Sequence, residues 1–327
     1  MEDMKRKKIV VMGGGTGTFT VLTGLKHYPV DLSAIVSIAD NGGSTGILRD
    51  ELGVLPPGDT RQCLVALSAG DDLLRSLFNY RFAEGSLAGH NFGNLFLSAL
   101  EKVTGDSLSA VREAHRILNV KGRVIPVAAK ATHLFAELED GQVVEGEHAI
   151  DELEGERAPI ARCFLSPSVQ ANQDAIDAIE SADAIILGPG DLYTSLMPIL
   201  LVEGIREALA RSSAKRFYVL NLVTKHGETD GYTAKTYIEV LKKALAPARL
   251  DAVLVNTEQP PASILARYEK AAERPVLDDL SEQGLEIVRT PLLSNDIQEP
   301  KPGDTIKRSL LRHDPIKLAE AILGGLK

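Results

Sequence analysis

Short apolar runs recur along this chain, and several are unbroken by any polar residue. They are Lys8–Met12, Leu32–Ala39, Arg123–Ala128, Ile160–Leu165, Ala184–Gly188, Arg216–Leu222, Asp251–Asn256 and Leu285–Arg289. An unbroken run of this length suits a strand covered on both faces, whereas a half-exposed strand alternates. Helical spacing fills the segments between them, at Ser107–Leu118, Gln173–Ala182, Gly204–Ala210 and Thr233–Leu245. Strands alternating with helices point to a parallel sheet covered by helices on both faces. The expected fold is therefore α/β, a doubly wound, mainly parallel sheet. Its 327 residues, 44% of them hydrophobic, suffice for two domains or one large one. With no repeat and no low-complexity linker, a single domain over 1–327 is expected.

One segment breaks the rhythm. Thr132–Glu147 carries Asp140-Gly141 between two extended arms, a hairpin signal. It is expected as an antiparallel excursion on the main sheet, an insertion over about 131–147. Near the end, Glu299–Asp304 (EPKPGD) reads as a loop and Pro315–Leu323 as a closing helix, in a C-terminal addition over about 291–327.

The first run leads straight into GGGTGT: Gly13, Gly14, Gly15, Thr16, Gly17 and Thr18. With Gly15 and Gly17 as the first pair, Thr20 stands where a dinucleotide fingerprint has its third glycine. No Gly-Lys-Ser/Thr follows, so it is not a Walker loop. Glycines at such a turn let backbone approach a phosphate, and the helix start presents free N–H groups. The competing reading is a tight turn that packs a helix onto the sheet.

Asp40 is expected to end the second strand, where a Rossmann domain places its ribose-binding carboxylate. DNGGSTG (Asp40, Asn41, Gly42, Gly43, Ser44 and onward) then opens a helix over Thr45–Leu52. In PPGDTRQ, Asp59 and Gln62 have capping-box spacing, so Asp59 reads as an N-cap or as a ligand contact, with Arg61 beside it. GHNFGN supplies His90, Asn91 and Asn94 ahead of an apolar helix, Leu95–Leu100. His90 reads as an acid/base or ligand contact, or as purely structural. GPGDLYTS follows a buried run and offers Gly188, Gly190, Asp191, Tyr193, Thr194 and Ser195; the plain reading is a turn with a cap. Asn221–Thr224 (NLVT) ends the next run.

The loops Gly13–Thr18, Asp40–Gly46, Gly188–Ser195 and Asn221–Thr224 each follow a candidate strand. In a parallel sheet they line one edge, and ligands bind at the carboxyl ends of such strands. None of the four contains a lysine; Arg49 and Arg61 lie one or two helical turns beyond theirs. Backbone N–H groups and hydroxyls would then hold a diphosphate. A charge-assisted hydrogen bond contributes roughly 1.5–3 kcal/mol and a helix N-terminus about 0.3–1 kcal/mol. Nothing resembles the lysine and Mg²⁺ arrangement that neutralises a transferring phosphate. Asp40, Asp59 and Asp191 would hold one Mg²⁺ if they converged.

The net charge of −9 argues against a general nucleic-acid binder, which needs a basic face. Cys63 and Cys163 lie too far apart in sequence for CxxC or zinc spacing and read as reduced thiols. Lys5–Lys8 are basic, but the apolar stretch Ile9–Met12 behind them is too short for a signal peptide. No apolar run reaches the roughly 18 residues of a membrane span. A cytoplasmic protein is expected.

Taken in order, GGGTGT, DNGGSTG, PPGDTRQ, GHNFGN, GPGDLYTS, YEKAAERPV (Tyr268–Val276) and RHD (Arg312–Asp314) resemble the gluconeogenesis factor family. That family is the bacterial branch of the CofD-like superfamily, and the resemblance spans nearly the whole chain. It implies a Rossmann-like core, a cytoplasmic location and a role in cell shape and cell-wall homeostasis during gluconeogenic growth. It also implies a bound UDP-sugar such as UDP-N-acetylglucosamine, without turnover. The other superfamily branch transfers a 2-phospholactyl group from a nucleotide-activated donor to a deazaflavin precursor, with Mg²⁺. The implied site maps onto the Gly13–Gly17 loop, DNGGSTG, Asn94 and GPGDLYTS, with Tyr268 and Arg312 as candidate sugar or uracil contacts. Many members carry a second aspartate where this chain has Asn41; the amide removes one metal ligand. A homodimer and a cell-wall enzyme or kinase partner would suit such a regulator. A third reading, an NAD-dependent oxidoreductase, rests on the first loop alone and finds no Tyr-x-x-x-Lys pair. An NAD-like dinucleotide would still mimic a UDP-sugar through its diphosphate.

Overall fold

The computed structural model describes residues 6–69, 72–152, 156–281, 284–297 and 309–326. Its strands are β1 (Lys7–Gly13), β2 (Val30–Val36), β3 (Arg123–Pro126), β4 (His133–Leu138), β5 (Val143–Glu145), β6 (Ile160–Ser166), β7 (Ala184–Leu187), β8 (Lys215–Val219), β9 (Ala252–Asn256) and β10 (Glu286–Thr290).

Strand β1 explains why the apolar runs are unbroken. Successive side chains of a strand point to opposite faces. Val10 and Met12 enter one core; Ile9 and Val11 enter a second on the other face. In β7, Ile185 and Leu187 join the first core, Ala184 and Ile186 the second. These runs of the main sheet therefore feed two layers of helices at once, as the sequence predicts.

The main sheet has seven strands in the order β10-β9-β8-β7-β1-β2-β3. Every pairing in it is parallel. The chain runs from β1 outward through β2 and β3, then returns to β7 on the other side of β1. This reversal puts a topological switch point at the carboxyl ends of β1 and β7.

The expected hairpin forms, but not on the main sheet. Strands β5, β4 and β6 make a separate antiparallel sheet in that order. The Ile160–Leu165 run thus pairs with the hairpin rather than with the core strands. Strand β4 alternates, burying Leu134, Ala136 and Leu138 against the first core. A sheet with one buried face packs across the main sheet's helical layer instead of extending it. Its other face carries Phe135 stacked on Phe164, with ring centroids 5.2 Å apart.

Strand β2 also ends earlier than expected, at Val36, because its partner β3 stops opposite it at Pro126. Asp40 therefore stands in the loop beyond the strand, not at its last position. The closing helix, Pro315–Gly324, is capped by Asp314, which accepts from the amides of Ile316 and Lys317. Leu318, Ala319 and Ile322 sit in the second main core. The loop expected at 299–304 lies outside the described residues. Among the described residues, no helix is long and apolar enough to cross a membrane.

Candidate functional site

The four loops open into one cleft of about 930 Å³ at the carboxyl edge of the sheet. Gly14, Gly15, Thr16 and Gly17 line it after β1; Asp40, Gly42, Gly43 and Ser44 after β2. Gly190, Asp191 and Ser195 follow β7, and Asn221 follows β8. Asp59, Arg61, Asn94, Tyr268 and Arg312 complete the wall among the expected residues.

Other expected residues do not line it. Thr18 is fully buried beneath Gly13, and Gly188 precedes the lining part of its loop. Asn91 caps the helix Phe92–Thr104, its side chain accepting from Asn94 N–H at 3.2 Å. His90 Nδ1 lies 3.2 Å from Ser44 Oγ, behind the wall. Tyr193 turns into the core, its hydroxyl 2.7 Å from that of Tyr232. Thr194 is buried and donates to Glu228 Oε1 at 3.4 Å. Asn41 Oδ1 accepts from His148 N–H at 2.8 Å, tying DNGGSTG to the segment that follows the hairpin.

At the switch point the glycines bring protein against protein. A Cβ on Gly17 would overlap the Pro189 carbonyl, and one on Gly14 would come within 2.6 Å of Ser195 Oγ. The first amide of the helix Gly15–Leu25 is not open to a ligand, because Gly15 N–H donates to Asp59 Oδ1 at 2.7 Å. Asp59 is thus no capping-box residue. Its own helix, Pro57–Leu67, has Pro56 at its N-cap position, and a proline side chain offers no acceptor, so no side-chain cap forms. Gln62, the other half of the expected box, accepts from Thr16 Oγ1 at 3.2 Å. The helix Gly43–Leu52 differs: it has no side-chain cap, and Gly43, Ser44 and Thr45 of its first turn line the cleft. Asp40 Oδ1 accepts from Gly42 N–H at 2.9 Å and shapes that start.

The electrostatics divide the acids into two groups. Burial and the neighbouring Asp40 push Asp59 up to about 7, against the pull of Gly15 N–H and Arg61. Burial also raises Asp40. Glu147 rises well above the carboxylate range through burial and the charges of Asp40 and Asp59. Asp191 belongs to the other group, with carboxylate oxygens of Asp151, Asp191 and Glu228 all within 4.8 Å of one another. Burial pushes Asp191 up to about 6 while Lys225 pulls it down. Asp40, Asp59 and Asp191 therefore do not converge on one ion; Asp191 has other partners.

Several of these residues escaped the sequence. Glu147 and Asp151 come from the short helix Glu147–Asp151, and only docking of the small sheet brings them to the cleft. Lys225 had a signal: it stands one residue beyond NLVT, at the same strand end. It lines the cleft and reaches Asp151 Oδ1 at 2.8 Å. Arg61 and Tyr268 line the cleft while holding its wall together. Arg61 Nε donates to Asn94 Oδ1 at 2.9 Å and a guanidinium N–H to Asn79 Oδ1 at 2.8 Å. The Tyr268 hydroxyl accepts from Leu311 N–H at 2.9 Å and lies 2.8 Å from Ser309 Oγ.

The profile of the 2-phospho-L-lactate transferase CofD family matches residues 9–293. The chain belongs to this family. Its relatives include the gluconeogenesis factor of Bacillus subtilis, 43% identical over 99% of each chain. The gluconeogenesis factor of Halalkalibacterium halodurans is 42% identical, over 98% of this chain and 97% of its own. These relatives put the chain in the gluconeogenesis factor branch. A crystal structure of a UPF0052 family member from Bacillus halodurans superposes with a TM-score of 0.90, at 40% identity, over 98% of this chain and 99% of the other.

Proposed function

We propose that this chain is a cytoplasmic regulatory protein that binds a nucleotide-diphosphate sugar of the UDP-N-acetylglucosamine class without turning it over. Its task is then cell-wall and cell-shape homeostasis during gluconeogenic growth. The observation that carries the reading is the single cleft made by all four strand-end loops. At about 930 Å³ it has room for a nucleotide sugar, and the uncapped start of Gly43–Leu52 offers N–H groups for an anion. Asp40, at the rim of that helix start, is the carboxylate for a ribose hydroxyl. Asp40→Ala is expected to weaken UDP-N-acetylglucosamine binding at least tenfold, about 1.4 kcal/mol, by calorimetry, while thermal unfolding stays cooperative. An unchanged affinity would leave Asp40 a turn residue and nothing more.

The acid trio Asp151, Asp191 and Glu228 favours a second reading, transfer of a phospholactyl-type group from a nucleotide-activated donor with Mg²⁺. A Mg²⁺-dependent product from a deazaflavin acceptor would establish it. An NAD-like dinucleotide would enter the same cleft through its diphosphate.

A further inference from the structure

We propose that Lys225 is the cation of this site: paired with Asp151 beside Asp191 and Glu228, it supplies the positive charge a divalent metal would bring to these acids, and makes diphosphate binding independent of metal. This rests on the nucleotide-diphosphate reading of the cleft.

The superfamily's transferase branch implies Mg²⁺, but Lys225 already stands against one of the acids that would hold it. Mg²⁺ demands near-octahedral oxygen ligands at about 2.0–2.1 Å and gives up its waters reluctantly. The three carboxylates come close enough to attract such an ion, yet two of them are already engaged. Lys225 Nζ lies 2.8 Å from Asp151 Oδ1, and Thr194 donates to Glu228 Oε1 at 3.4 Å. The lysine side chain is 18% exposed, so its ammonium is held at the cleft wall rather than in solvent. Burial pulls its pKa down, but Asp191, Asp151 and Glu228 outweigh that and leave it above an ordinary lysine. The charge is therefore permanent at any physiological pH. Lys225 balances the charge of Asp151, and a diphosphate would add negative charge at the same wall of the cleft. A site of this kind needs a counter-ion, and the chain brings one from the end of β8.

Two measurements on the full chain test the assignment. In the first, Mn²⁺ is titrated without nucleotide and followed by electron paramagnetic resonance. Wild type is expected to leave Mn²⁺ free, and Lys225→Met to take it up. Tight uptake by wild type overturns the proposal, whatever the nucleotide reading. In the second, UDP-N-acetylglucosamine is titrated calorimetrically in EDTA and in excess Mg²⁺. Wild type should bind equally in both, and Lys225→Met should lose at least about tenfold in EDTA and recover with Mg²⁺. Lys225→Arg, which keeps the charge, should stay metal-independent. Wild-type binding that collapses in EDTA, or Lys225→Met binding like wild type there, overturns the proposal. If wild type binds no nucleotide sugar in either buffer, the ligand reading fails and the Mn²⁺ comparison alone decides the role of Lys225. Should Lys225→Met not fold, Asp151→Asn/Lys225→Met removes one charge of each sign. It must likewise lose binding in EDTA, and wild-type affinity there overturns the proposal.

Discussion

Gly17→Ala lowers the folding stability of this chain by about 3 kcal/mol. The added Cβ would overlap the Pro189 carbonyl oxygen, which is backbone and has nowhere to go. Gly17 lies in the first turn of the helix that follows β1, and Pro189 in the loop that follows β7. Relief therefore requires the two halves of the sheet to part at the switch point, where the core is closely packed. Gly42→Ala is the internal comparison. Its φ is −81° and the nearest atom to an added Cβ is 3.5 Å away, so stability should change by less than about 0.5 kcal/mol. Urea unfolding followed by circular dichroism reads both. Equal midpoints for the two variants would mean that the loops do not meet as described.

Asp59→Asn stabilises the protein at alkaline pH and has little effect in acid. The folded pKa of Asp59 is raised to about 7 from its ordinary 3.8, first by burial and then by Asp40. Between these values the folded state holds a proton that the unfolded chain has lost. Wild-type stability is then greatest below the unfolded value and falls as pH rises through the window to 7. Above it, the folded chain keeps a buried charge facing Asp40 and Glu147. Asparagine carries no charge and still accepts the Gly15 N–H through Oδ1. The variant should be more stable than wild type by about 3 kcal/mol above pH 7 and equal to it near pH 4. His313, buried and lowered to about 4, works in the opposite sense and loses stability as pH falls below its ordinary 6.5. It is present in both proteins and cancels in the comparison. Identical melting temperatures at pH 8 would show that Asp59 bears no repulsion.

The cleft combines an acid group that resists ionising, around Asp59, with one balanced by Lys225. Under the proposed nucleotide-sugar reading, neither arrangement calls for a metal to hold the ligand.

What the sequence by itself determined was everything set by local periodicity and by chain order. The unbroken runs at Ile9–Met12 and Ala184–Leu187 require cover on two faces, which makes the sheet parallel and its helices two-layered. Once the sheet is parallel, every strand-to-helix loop must fall on one edge, so the four loops meet without knowledge of any contact. Tertiary structure alone decided what those loops do. Whether a glycine faces a ligand or a neighbouring backbone depends on a second segment, which for Gly17 is Pro189. Whether Asp59 caps its own helix or another depends on how the helix Pro57–Leu67 packs against the first loop. Glu147 and Asp151 reach the cleft only because β4 buries one face on the main core and carries its following helix along. These are contacts between residues distant in the chain. They follow from how layers pack, and a single sequence carries no local signal for them.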